Sequence, residues 1–144
     1  MTATLTQARD EMLAVFRESW LADPASAQLP VLYPDTKSVP PTTGKGWVRV
    51  SVQHGSGGQA TLSNAAGRRR FRHTGIVFVQ IFTDRGDGMV LADQLASVAK
   101  NAFEGVTTDP GRVTFYRVRV REVGPDGQWF QTNVLADFEY DEVK

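Results

Sequence analysis

The chain has 144 residues, with 16 basic side chains balanced by 16 acidic ones, 41% apolar residues and no cysteine. A length of this order makes one domain that buries roughly two thirds of the surface of its unfolded chain, and balanced charge gives no net field toward nucleic acid or membrane. Lack of cysteine excludes disulfides and thiolate metal sites and suits a reducing cytoplasm, no run approaches the roughly 18 apolar residues of a membrane span, and Met1-Thr-Ala-Thr-Leu5 lacks the basic and apolar regions of a signal peptide.

Residues 5–21 predict an amphipathic helix. Leu5, Ala8, Met12, Val15, Phe16 and Trp20 recur at three- and four-residue steps, while Arg9, Asp10, Arg17 and Glu18 fall mostly off that stripe. Thr4 or Thr6 can cap its start. Asp23-Pro24 ends it, because the residue before proline is pushed out of the helical region. Such a stripe reads as core packing. Residues 24–46 carry Pro24, Pro30, Pro34, Pro40 and Pro41 and predict a proline-rich loop. Inside it, 30–35 is a short extended piece that its prolines confine to an edge. Gly44-Lys45-Gly46 lacks the upstream glycine and the following Ser or Thr of a phosphate-binding loop.

In residues 47–53, Val48, Val50 and Val52 alternate with Arg49, Ser51 and Gln53, as in a half-buried strand. Residues 54–72 are different. Gly55, Gly57, Gly58 and Gly67 with small polar residues cannot build a core, and Arg68, Arg69, Arg70 and Arg72 follow. A stretch of this kind is usually functional or disordered. It predicts a long hairpin arm with its tip near residues 59–63, joining the preceding strand to the next one. That next strand, Gly75 to Thr83, is apolar at both parities: Ile76, Phe78 and Phe82 on one side, Val77, Val79 and Ile81 on the other. Burial on both faces places it in the middle of a sheet, under cover.

Residues 84–88 form a turn in which Asp84 or Asp87 is expected to cap a second helix over 89–103. Its stripe is Leu91, Leu95, Val98, Ala99, Ala102 and Phe103, and Gly105 closes it. Residues 113–123 and 129–140 then flank Gly124-Pro-Asp-Gly127 as a hairpin. Alternation favours a three-residue loop at 125–127, which puts Gly124 opposite Gln128, Val118 opposite Val134, Val120 opposite Thr132 and Tyr116 opposite Ala136. Arg121 then opposes Gln131 and Arg119 opposes Asn133, while Arg117 lies diagonal to Asp137. The expected fold is α+β: a mainly antiparallel four- to five-stranded sheet, two helices packed on one face, and a long β-hairpin arm, in a single domain over 1–144.

Chemistry is sparse. His54 and His73 stand at the two roots of the arm with no spaced third metal ligand. No nucleophile or zinc-protease motif is present, and Asp84 and Asp87 read as caps rather than a catalytic pair. No catalytic residue, cofactor or metal is predicted. The arginines are the better signal. Arg68, Arg69, Arg70 and Arg72, with Phe71 among them, sit on an otherwise uncharged arm and read as a subunit or partner interface meeting acidic patches or phosphates. Arg117, Arg119 and Arg121, with Arg112, line one strand; a solvated face paired with Asp137 and Glu139 is the alternative there.

Leu32-Tyr-Pro-Asp35, Pro40-Pro41 and Trp47-Val-Arg-Val50, then Phe78-Val-Gln-Ile-Phe-Thr83, Gly86-Asp-Gly88 and Phe138-Glu-Tyr140, together resemble the tail terminator proteins of tailed bacteriophages and gene transfer agents. These are the tail-completion or head-tail joining proteins of the lambda type, and the resemblance covers nearly the whole chain. It implies a non-enzymatic α+β subunit of a virion or virion-like particle, assembled in the bacterial cytoplasm and placed at the top of the tail. Six copies would form a ring that caps the tail tube, stops its growth and presents a surface to the head connector. Its partners would be itself, the tail-tube protein, the adaptor or stopper of the neck, and DNA only in passage, with Arg117, Arg119 and Arg121 as candidates to face the channel. Other readings are a different ring of the neck or tail, such as an adaptor, stopper or tube subunit, or a small nucleic-acid-binding module using the arginine arm.

Overall fold

The computed structural model describes every residue except Met1, Thr2, Asp35, Ser38, Ser63 and Asn64. The chain order is α1 (Leu5–Ala22), β1 (Val31–Leu32), β2 (Gly46–Gln59), β3 (Arg70–Asp84), α2 (Val90–Phe103), β4 (Thr114–Asp126) and β5 (Trp129–Val143). The strands form one sheet in the order β1-β2-β3-β5-β4, so β3 is central. The sheet is mixed rather than purely antiparallel: β1 runs parallel to β2, with Val31 beside Val48. The proline-rich residues 33–45 carry the chain back to the end it came from, which a short hairpin turn cannot do.

Local chemistry sets the helix ends. The Thr4 hydroxyl accepts from the Gln7 amide at 3.2 Å, and Asp23 before Pro24 is extended. Contrary to the expectation from sequence, neither Asp84 nor Asp87 caps α2. Asp84 still belongs to β3, Gly86 and Gly88 turn the chain through positive φ, and the N-cap position falls on Met89, which offers no side-chain acceptor. Asp93 supplies the acid in the first turn instead. Gly105, at φ 71°, follows the C-terminal end as expected.

Both helices cover the same face of the sheet. Met12, Phe16 and Trp20 of α1, and Leu95, Ala99 and Phe103 of α2, pack with Val48, Val50, Val77, Val79, Ile81, Val134 and Phe138 in one buried cluster. Phe16 stacks on Trp20 at 5.2 Å and on Phe103 at 6.3 Å. Glu11 ties α1 to the loop before β4, accepting from the Thr108 hydroxyl at 2.5 Å and the Gly111 amide at 3.1 Å. Gly75 is required where β3 runs between β2 and β5, because a Cβ there would collide with the Gln53 carbonyl oxygen and lie 2.6 Å from the Phe138 ring.

The opposite face of β3 is only partly covered. Phe82 is buried with Leu32, Trp47 and Trp129 at one end, and Trp47 stacks on Phe82 at 4.1 Å. Ile76 and Phe78 are half-buried under no helix. A strand apolar at both parities is thus clad fully on one side and only at one end of the other.

The last hairpin departs from the expected register. Gly127 and Gln128 form a two-residue turn between paired Asp126 and Trp129, and Gly124 opposes Gln131. Register shifts at Val123 and at Arg117–Val118 then give Arg121 opposite Asn133, Val120 opposite Val134, Arg119 opposite Leu135 and Tyr116 opposite Asp137. Each bulge adds one residue to β4 and reverses its parity, so strict alternation cannot fix the pairing. β4 is an edge strand, and beside its bulges no further strand of the sheet lies on its far side to forbid them.

Candidate functional site

The arm is more regular than its composition predicts. β2 continues to Gln59 and β3 begins at Arg70, paired as Gln59 with Phe71, Gly58 with Arg72 and Gly57 with His73, after a shift between His54 and Gly57. The return strand also pairs with β5, from Arg70 opposite Val143 to His73 opposite Tyr140. Among the described residues, 60–62 and 65–69 lie outside the paired strands; the expected tip at 59–63 overlaps them, and its Ser63 lies outside the described residues.

This geometry divides the predicted arm residues into two groups. Arg72 donates from Nε and a terminal nitrogen to the two oxygens of Asp141, at 3.0 and 3.3 Å, and this hydrogen bond raises its already high pKa. Arg70 stands 3.6 Å from the same carboxylate. Both therefore face a carboxylate of their own chain. Arg68 and Arg69 make no ion pair with an acidic side chain among the described residues. Arg69 donates to the Lys144 carbonyl at 3.3 Å, and the Arg69 guanidinium and the Lys144 ammonium stand 5.9 and 5.1 Å from the centre of the Phe71 ring.

At the root of the arm the two histidines come together, as their positions in the sequence allowed. His54 Nε2 is 2.8 Å from the Tyr140 hydroxyl, and the His73 ring is 5.1 Å from the ring of the same tyrosine. Burial lowers the His54 pKa below the ordinary 6.5, helped by the charges of Arg9 and His73. His73 Nε2 meets Glu142 at 3.2 Å. Among the described residues no group of three His, Asp or Glu side chains is placed to hold a metal ion.

The β4 arginines lie on the helix-free side. Asp137 is 2% exposed and accepts from Arg117 Nε at 2.7 Å and from Arg119 at 3.1 Å. Arg117 occupies the bulge at φ 48°, a left-handed conformation uncommon for arginine, which lets it and Arg119 reach one carboxylate. Arg121 is exposed beyond them. Arg112, also left-handed at φ 59°, joins Arg70 and Arg72 around an open cleft of about 300 Å³. Sequence reasoning passed over two features. Leu62, at the arm tip, is 100% exposed, and its apolar side chain in a polar stretch was the available signal. The cleft formed by Asp84, Asp87, Val90 and Leu91 joins residues that read only as turn and helix stripe.

The chain matches the model of the phage tail terminator protein family over residues 10–136. It belongs to that family. No curated protein matches it. Among solved structures, a chain whose name carries no functional word superposes with a TM-score of 0.65 at 21% identity, covering 92% of this chain and 94% of that one. A second similar chain comes from the virion of a native gene transfer agent particle, with a TM-score of 0.51, 17% identity, and 92% and 96% of the two chains covered. At these identities the two structures speak for the fold, and the family match for the class: a phage tail structural protein.

Proposed function

We propose that this terminator-family chain forms a closed ring at the top of the tail of a virion or virion-like particle. The ring caps the tail tube, arrests its polymerisation and offers its other surface to the head connector. The observation that carries this reading is the family match across 127 consecutive positions, from residue 10 to residue 136. The gene transfer agent neighbour supports a place in such a particle. Six subunits is the number the family resemblance implies.

The distribution of chemistry suits a ring subunit. Rotation about an axis makes heterologous contacts, so each copy needs two different patches. The arm tip, with Arg68 and Arg69, supplies one. The helix-free face, with Arg117, Arg119 and Arg121 along β4, supplies a basic surface for the channel through which DNA passes. Self, tube protein and neck protein are the proposed partners, and DNA only in transit. The test is to add the purified chain to polymerising tail-tube protein. Tubes that stop lengthening and carry one extra ring at a single end are expected; incorporation of the chain along the whole tube would make it a tube subunit instead.

A further inference from the structure

We propose that the arm tip of one copy docks into the cleft beside the start of α2 on the next copy. The inference rests on the ring reading above and names the contact that would build it. Leu62 is fully exposed, and water gains nothing from solvating an isobutyl group that a partner could bury. Arg68 and Arg69, on the return side of the same tip, have no acidic partner among the described residues. The tip thus carries one exposed apolar side chain and two cations.

A matching hole lies at the far end of the same strand. The cleft has a volume of about 270 Å³, with Val90 and Leu91 among its apolar lining and Asp84 and Asp87 among its polar lining. Val90 is 72% exposed. The two carboxylates outnumber the single cation there, Lys45, and neither forms an ion pair among the described residues. Apolar contact with an acidic rim is what Leu62 with Arg68 and Arg69 would complete.

One molecule cannot make this contact with itself. β3 runs from Arg70 beside the tip to Asp84 beside the cleft, roughly 45 Å at about 3.3 Å per residue. The occupant is therefore a second copy, docked head to tail. Such a contact closes into a ring when its rotation divides a full turn.

The cysteine-free chain permits a direct test. Leu62→Cys and Val90→Cys are combined and mildly oxidised. A ladder of reducible multimers is expected, whereas either single variant stops at the dimer. In parallel, Arg68→Glu with Arg69→Glu should reduce the assembled fraction about tenfold or more, and adding Asp84→Lys with Asp87→Lys should restore it. Thermal melts of each variant confirm that it folds. If the natural sequence forms rings while the cysteine pair gives no ladder and charge reversal has no effect, the docking is wrong and the arm meets another protein. If the natural sequence stays monomeric alone and with tube protein, the ring reading fails together with the docking.

Discussion

The two faces of the sheet are built differently. Beneath the helices, Val77, Val79 and Ile81 are each 0% exposed, and nearly every contact is apolar. On the other face Ile76 and Phe78 are half-covered, and the charged groups are arginines gathered around Asp137 and Asp141. The first arrangement holds the fold by itself. The second satisfies its carboxylates but leaves cations and apolar surface facing outward, as expected of a surface that another subunit completes. The covered face carries most of the fold's stability, whereas the proposed docking uses the arm tip and the cleft beside α2, so substitutions should separate folding from assembly.

The largest effect belongs to the covered face. Phe16→Ala removes a fully buried ring between Trp20 and Phe103, and should cost about 3–5 kcal/mol in a urea titration. A cost below about 1 kcal/mol would mean that α1 does not pack as described.

On the helix-free face, Asp137→Ala should cost about 1–3 kcal/mol, because a buried acceptor of two arginine hydrogen bonds is lost. Arg119→Ala alone should cost less than about 1 kcal/mol, since its guanidinium is screened by water. Equal losses from the two variants would show that the arginines, not the carboxylate, hold the bulge.

A smaller, pH-dependent effect lies at the root of the arm. Burial holds the His54 pKa below 6.5, so the folded chain binds a proton there less readily than the unfolded one. The stability this group contributes is therefore complete above pH 6.5 and is lost as the pH falls below it. His54→Gln should flatten that part of the stability profile; an unchanged slope would assign it to other groups. The smallest effect on folding should come from Arg68→Glu with Arg69→Glu, within about 0.5 kcal/mol of the natural chain, as for exposed sites generally. That variant should nonetheless fail to assemble, which separates the arm from the body most clearly.

Most features governed by neighbours in sequence were legible, the N-cap of α2 excepted. Thr4 and Asp23-Pro24 bound α1 as expected, β3 is central, and the stripes of both helices face one side of the sheet. Features governed by contacts distant in sequence were not. The parallel pairing of β1 depends on where a long loop returns the chain. The β4 register depends on bulges that a free edge tolerates. At the site, the arginines of the arm were legible as a group, but their division was not. Asp141 neutralises Arg72 and approaches Arg70 only because β3 and β5 pair, and nothing local distinguishes them from Arg68 and Arg69.

Hydrogen exchange on the free and the assembled protein tests the central claim most directly. The account predicts that amides of residues 60–62 and 65–69 become protected on assembly, while those of residues 76–82 in β3 are strongly protected in both states. Equal protection of the tip before and after assembly would contradict it, because the arm would then owe its order to its own chain.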